Sequence, residues 1–247
     1  MDLGISGRRA LIAASSAGLG LAAAAALAEA GCTVVMNGRD AQRLRDATDG
    51  VAGAIGIVGD VSDADGATAL VAAAEEALGG IDILVTNAGG PPGGNWADTG
   101  TNLYPAALDL NLMSVVAMTK AAVPAMQARR WGRVLAITSV SVRQPLDNLI
   151  LSNTARAGAT GYLKTMANQV AADGVTVNSL QPGYHATDRL QQLFGDRMAD
   201  LAQTVAARSV GDPAAFGQIA AFLCSEHARF ITGAAIPVDG GASAGLQ

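Results

Sequence analysis

Aromatic residues are scarce in this chain: two Trp, three Tyr and four Phe make up 4% of 247 residues. Half of the residues are nonetheless apolar, so the interior has to be assembled from Ala, Val, Leu and Ile, sizes that suit helices packed closely on a sheet. Cysteine is nearly missing. Cys32 and Cys224 stand alone with no metal-binding or redox spacing, and they read as two small buried apolar residues. Charge is modest at 15% of residues and a net −5, with no block of one sign, which argues against nucleic acid or an anionic membrane as a partner. Histidine occurs twice, at His185 and His227.

Long apolar runs are also lacking. Arg8-Arg9 followed by ALIAASSAGLGLAAAAALAEAG imitates a leader sequence, but Ser15, Ser16, Gly18 and Gly20 divide it into a short strand-like piece and an Ala-rich helix. No other stretch of eighteen strongly apolar residues is found, so no membrane-spanning helix is expected and the reading is a cytoplasmic enzyme-sized domain.

What the chain does have is alternation. Strand-like runs at 9–14, 32–37, 54–60, 81–90, 133–139, 175–181 and 234–238 are separated by helical stretches at 19–30, 41–49, 65–78, 106–128, 152–172 and 213–225. Residues 187–208 read as a mobile helical insertion on the substrate side. Strands joined by helix-length connections must pair in parallel with right-handed crossovers, which gives an α/β doubly wound parallel sheet, a Rossmann fold, in a single domain spanning 1–247.

In such a sheet, ligands bind at the carboxyl ends of the strands. The turn Ser15-Ser16-Ala17-Gly18-Leu19-Gly20 lies between the first strand and first helix, where glycines let backbone approach a pyrophosphate and the helix end supplies free N–H groups. Three further pieces sit at strand ends: Gly59-Asp60-Val61, Asn87-Ala88-Gly89, and Pro182-Gly183 with Thr187. Asp60 is placed to accept from an adenine amino group.

Taken together, SSAGLG, NGRD, GDVSD, TNAGG, LDLNL, GRVLAITSVS, GVTVNSLQPG and FLCSEHARFITGAAIPVDGG resemble the short-chain dehydrogenase/reductase family from end to end, in its 3-oxoacyl-carrier-protein-reductase-like branch. The resemblance implies hydride transfer between a nicotinamide and a carbonyl or alcohol, a small-molecule substrate, and a homotetramer. The cofactor positions it implies are Ser16, Gly18, Leu19, Gly20, Arg39, Asp60, Val61, Asn87, Ala88, Gly89, Pro182, Gly183 and Thr187. The family's glycine motif begins Thr-Gly; here that pair is Ala13-Ala14, which should tighten the loop around a Cβ at residue 14. An acidic residue ending the second strand would select NAD, whereas Gly38-Arg39 offers a guanidinium to a 2′-phosphate and favours NADP; the competing reading pairs Arg39 with Asp40 on the surface.

The family's catalytic groups are an Asn, a Ser and a Tyr-x-x-x-Lys pair. Asn111 and Ser139 match the first two, with Ser141 a poorer match by register. At the Tyr and Lys positions the chain has Ser152 and Arg156, still about 400° apart and so on one helix face. Tyr162 and Lys164, two residues apart, point to opposite sides and cannot replace them. A serine hydroxyl is a far weaker acid than a tyrosine, so the proton would have to come through a Ser152–water relay, or Arg156 would reach toward the substrate oxygen and steady its charge. Tyr184 and His185 are the candidate replacement acids, and Arg143, Asp147 and Asn148 the candidate specificity residues. Three functions stay open: an oxidoreductase with an altered proton relay; a non-redox isomerase, dehydratase or cyclase using Arg156 and Ser139 as an oxyanion clamp; and a non-catalytic dinucleotide-binding scaffold.

Overall fold

The computed structural model describes residues 1–246. Seven parallel strands form one sheet: β1 (Arg9–Ile12), β2 (Thr33–Gly38), β3 (Ile55–Val58), β4 (Ile83–Thr86), β5 (Gly132–Ile137), β6 (Val175–Pro182) and β7 (Ala235–Val238). Their order is 3-2-1-4-5-6-7, with every neighbouring pair parallel. The middle strands are apolar on both faces because helices cover both: β4 and β5 are buried throughout.

On one face α1 (Gly18–Glu29) packs on α9 (Pro213–Leu223), with Leu27, Met36 and Phe216 at their centre. Contact there is close enough that a Cβ on Gly217 would lie 2.3 Å from the Ala22 carbonyl oxygen. On the other face α3 (Ala64–Leu78), α5 (Ser114–Ala128) and α6 (Ile150–Val170) bury Leu70, Met118, Met126 and Leu163. Together these form a doubly wound Rossmann fold in one domain.

The fourth connection, from β4 to β5, carries a longer helical stretch than its sequence suggests. A 3-10 turn at Thr101–Leu103, α4 (Tyr104–Leu108), a π turn at Asp109–Met113 and α5 run together as one rod over Thr101–Ala128. By length and composition this rod is long and apolar enough to cross a membrane, contrary to the expectation of no such stretch. Here it is a packed helix: Met118, Ala122 and Met126 are wholly buried against the sheet. The substrate-side insertion is helical, as α7 (Asp188–Phe194) and α8 (Met198–Gln203) joined by a 3-10 turn, and α2 (Ala41–Asp49) completes the set.

Ion pairs fix the amino-terminal ends of the strands. Asp82 accepts from Arg9 Nε and Nη2 at 2.8 and 2.7 Å and lies 3.5 Å from Arg129. Nearby, Trp131 is sandwiched between the guanidinium groups of Arg8 and Arg133, 3.7 and 4.3 Å from its ring centre, and donates to Glu226 at 2.6 Å. Cys32 and Cys224 are buried and unpaired; burial pushes their thiols up to about 11 and about 12, so both behave as apolar core residues.

Candidate active site

The carboxyl ends of the strands open into a cleft of about 980 Å³ that straddles β1 and β4, where the strand order reverses. Its floor is the turn after β1. Ala14 holds φ +45°, a left-handed conformation, and Gly18 holds +58°. Gly20 is pressed so closely into the turn that a Cβ would lie 2.7 Å from the Ala14 oxygen and 2.8 Å from Asn87 Nδ2. Helix α1 then begins at Ala17 with no side-chain cap and no acidic residue in its first turn. By contrast Asp40, Asp63 and Asp212 cap α2, α3 and α9. The first N–H groups of α1 are therefore free for an anion. Gly18, Leu19 and Ser16 line the cleft beside them.

Asn37, a buried polar residue near the end of β2, holds this floor in place. Its Oδ1 accepts from Ala14 N at 3.1 Å and its Nδ2 donates to the Ile57 and Gly59 carbonyls at 3.1 and 3.0 Å. Three strand ends are tied together by one amide.

At the adenosine end, Arg39 and Asp60 line the cleft and face each other at 3.8 Å, while Val61 is buried beneath them. The surface pair with Asp40 does not form: Asp40 is occupied as the α2 cap, accepting from Gln42 N and Arg43 N. Asp60 has one oxygen on Ser62 N at 2.9 Å, leaving the other toward Arg39. A second cation, Arg43, also lines the cleft and reaches Asp188 of α7 at 2.9 Å. Sequence reasoning passed over Arg43 and Asn37. The signals were present, in the i, i+4 spacing from Arg39 and in a lone amide ending an apolar strand.

At the other end, Asn87 Nδ2 donates to the Ala14 oxygen at 3.0 Å, and the carbonyls of Ala88 and Gly89 accept from Arg156 Nη2 at 3.5 Å and Asn111 Nδ2 at 2.9 Å. Pro182, the last residue of β6, and Gly183 line the same wall. Thr187 lines it too, while its hydroxyl caps α7 by accepting from Leu190 N at 3.3 Å. These are the positions expected to hold a dinucleotide, and the uncapped helix, the close-packed Gly20 and the size of the cleft all fit one.

Asn111 sits in the π turn, an irregularity that recurs at functional sites. Its Oδ1 is buried without a partner. Ser139 lies two residues past β5 and accepts from Ser141 N at 3.1 Å, so its own proton is free to donate; Ser141 is buried with an unpartnered hydroxyl, and of the four expected catalytic residues, Asn111, Ser139, Ser152 and Arg156, only Arg156 lines the cleft. Ser152 and Arg156 share the inward face of α6, only 8% and 9% exposed. The Ser152 hydroxyl has no protein hydrogen bond among the described residues.

Arg156 does not extend toward the substrate as expected. Its Nη1 is clamped on the Ile137 and Thr138 carbonyls at 3.0 and 3.2 Å, so the guanidinium forms part of the cleft wall. No carboxylate pairs with it among the described residues, and burial pushes its pKa down to about 10.

The other candidates make structural contacts, although His185 also lines the cleft. His185 is 5% exposed, edge-on to the Phe216 ring at 5.1 Å, with Nδ1 3.3 Å from the Gly183 oxygen. Burial lowers its pKa below the ordinary value despite Gly183 and Asp212, which keeps the ring neutral rather than ready to donate near pH 7. Tyr184 packs edge-on against Phe194. Arg143 braces two strands instead of selecting substrate, donating to Gln181 Oε1 at 2.8 Å and the Ala235 carbonyl at 2.7 Å. Asp147 and Asn148 are exposed and do not line the cleft. Tyr162 packs into the helix layer, its hydroxyl 2.9 Å from Thr119, and Lys164 turns away to the Gly233 carbonyl.

Comparison with known proteins agrees with this geometry. A family model described as enoyl-(acyl carrier protein) reductase matches residues 13–243. Dehydrogenase/reductase SDR family member 4 from Oryctolagus cuniculus is 34% identical over 96% of this chain and 94% of its own length. The chain belongs to the short-chain dehydrogenase/reductase family. A 3-oxoacyl-(acyl-carrier-protein) reductase of Vibrio cholerae is 32% identical over 97% of this chain and 98% of its own. The structure of L-sorbose reductase from Gluconobacter frateurii, complexed with NADPH and L-sorbose, superposes with a TM-score of 0.92 at 30% identity, covering the whole of both chains.

As a short-chain dehydrogenase/reductase, the protein is an oxidoreductase of the carbonyl/alcohol type. Its α6 face carries Ser152 and Arg156. It supplies hydrogen-bond donors and a positive charge, but no group that gives up a proton readily.

Proposed function

We propose that this short-chain dehydrogenase/reductase works with NADP(H) in preference to NAD(H), on a small carbonyl substrate, and with a proton relay that does not use a tyrosine. The observation that carries the cofactor preference is the end of β2: Arg39 and Arg43 both face the cleft there, with Asp60 3.8 Å from Arg39 and no carboxylate on β2 itself. Two guanidinium groups suit a 2′-phosphate, which an aspartate ending that strand would repel. NADPH in the sorbose reductase structure supports the reading.

Bound in this cleft, the cofactor supplies the hydride. The uncapped turn of α1 and Ser16 would hold its phosphates, and the Asn87–Gly89 segment with Pro182 and Gly183 would flank its nicotinamide half. Arg156, in the position of the family lysine and held in the cleft wall, would steady the nicotinamide ribose. Ser139 and Ser152 would donate hydrogen bonds to the substrate oxygen, with water completing the relay. Asn111 fixes the Gly89 carbonyl and offers its free Oδ1 to such a water. The protein is further proposed to be a cytoplasmic homotetramer without nucleic-acid or membrane partners. The apolar outer face of α9, where Ile219 and Phe222 are more than a third exposed, and the bare Phe230 would lie between subunits.

Titration of nicotinamide fluorescence tests the cofactor reading. NADPH should bind at least about tenfold more tightly than NADH, a difference of about 1.4 kcal/mol. Arg39→Ala with Arg43→Ala should erase the difference by weakening NADPH alone. Equal affinities in the unaltered protein would overturn it. Light scattering after size exclusion tests the tetramer.

A further inference from the structure

The two guanidinium groups beyond the end of β2 are held differently. Arg39 faces Asp60 at 3.8 Å, within the adenosine end of the cleft. Arg43 is drawn the other way: its Nη2 donates to Asp188 Oδ2 at 2.9 Å, between residues 145 positions apart in the chain. Asp188 is the first residue of α7, so this ion pair runs from α2 to the substrate-side insertion. The start of that insertion also lies on the turn after β1, where a Cβ on Gly18 would sit 3.5 Å from Thr187 Cγ2. Arg43, Gly18, Thr187 and Asp188 all line the cleft, so the pair is a strap across its rim.

The strap is built to be exchanged. Its side chains are 50% and 75% exposed, and an ion pair in that much water is weak. Arg43 lies in the first turn of α2, where the positive end of the helix disfavours a cation and leaves it drawn to an anion. A phosphate monoester carries about −1.5 to −2 charges and three acceptor oxygens, against the single charge of Asp188. Once displaced, the Asp188 carboxylate returns to water with little left to lose. A dinucleotide without the 2′-phosphate offers Arg43 nothing better than the partner it has.

We infer that Asp188 is a specificity residue for the cofactor, competing with the 2′-phosphate for Arg43, so that a phosphorylated dinucleotide unties α7 and an unphosphorylated one does not. This rests on the NADP(H) reading above. Asp188 acts through Arg43 and touches no reacting atom. Its presence moderates the preference for NADPH that Arg39 and Arg43 create. The coupling is reciprocal: whatever the strap takes from the affinity for the 2′-phosphate, the 2′-phosphate takes from the stability of the strap. The identity of the dinucleotide at the end of β2 is thereby passed to the insertion on the substrate side of the cleft.

Fluorescence titration of the full chain with NADPH and with NADH tests this, in the unaltered protein and in Asp188→Asn and Asp188→Glu. Asp188→Asn should bind NADPH about two- to fivefold more tightly, the range of an exposed ion pair, with NADH affinity unchanged. Asp188→Glu keeps the competing carboxylate and should stay near the unaltered protein. The gain should vanish when Asp188→Asn is combined with Arg43→Ala, and should shrink as salt is raised. Amide hydrogen exchange across α7 should be faster with saturating NADPH than with saturating NADH, and the two rates should coincide in Asp188→Asn. If NADPH is preferred but Asp188→Asn fails to tighten it, or tightens both cofactors alike, the competition is refuted and the cofactor reading stands. Equal exchange across α7 with the two cofactors in the unaltered protein would refute the untying of α7. Equal affinities for NADPH and NADH in the unaltered protein would overturn the cofactor reading itself, and this inference with it.

Discussion

Replacing Ala14 with glycine should make the protein more stable. Ala14 is held at φ +45° by both of its backbone groups: N–H donates to Asn37 Oδ1 at 3.1 Å and the carbonyl accepts from Asn87 Nδ2 at 3.0 Å. The turn cannot relax around it, because Gly20 already fits against its carbonyl with no room for a side chain. Left-handed backbone costs an L-residue about 1–2 kcal/mol, which glycine avoids. Glycine's extra freedom in the unfolded chain offsets about 0.4–1 kcal/mol of that gain. The net stabilisation is about 0.5–1 kcal/mol, which for a chain of this size raises Tm by about 1–4 °C. Urea unfolding and thermal melting of the ligand-free protein measure it, with Ala14→Val as the opposite perturbation, since a β-branched residue suffers most at positive φ. If the glycine variant melts at or below the original with an unchanged m-value, or the valine variant matches the original, the strain assigned to this turn is wrong.

Gly20→Ala should displace the start of α1, since its Cβ would meet the Ala14 oxygen at 2.7 Å and Ser15 Cα at 3.0 Å; we expect a loss of about 1–3 kcal/mol in urea unfolding and a clear weakening of NADPH binding. Burial alone would raise the Asp82 carboxyl, but hydrogen bonds from Arg9 and the charges of Arg9 and Arg129 outweigh it and hold the group below its ordinary 3.8. A carboxyl depressed in the folded state contributes its full stability above that value and loses it as pH falls further. Asp82→Asn should therefore cost about 2 kcal/mol at pH 7, less than a fully buried pair because Arg9 is 27% exposed, and should flatten the acid limb of the stability profile. Gly211→Ala would set a Cβ 2.7 Å from the His185 ring; if His185 is a structural neighbour of Phe216, thermal stability should fall while the pH dependence of turnover stays unchanged.

The sheet was legible because strand and helix periods alternate cleanly, and all seven strands form near their expected positions. The dinucleotide wall was legible for a related reason: topology alone brings strand ends together, so Gly18, Asn87 and Pro182 had to meet. Side-chain direction was not legible. Arg143 looks like a loop residue facing substrate, yet Gln181 and Ala235, distant in sequence, draw it across the sheet edge. Arg156 occupies the expected position, but its charge is spent on three backbone carbonyls that only the folded sheet presents together. The π turn at Asn111 was hidden as well, since residues 106–128 carry an ordinary helical pattern and the irregularity arises inside the packed rod. His185 would titrate near neutrality if solvated; its burial against Phe216 depends on α9, which follows much later in the chain.

The bare first turn of α1 has a consequence for the lifetime of the protein. Most helices that open beside this cleft carry their own cap; α1 leaves its first amides for a visitor. Without a dinucleotide, those amides at the start of α1 have no side-chain cap, and the end of the helix is where fraying would give a protease entry. With one bound, the pyrophosphate acts as the missing cap and closes that door. Cellular abundance of such a protein would then follow the supply of its cofactor, so that a cell short of the dinucleotide clears the enzyme it cannot use.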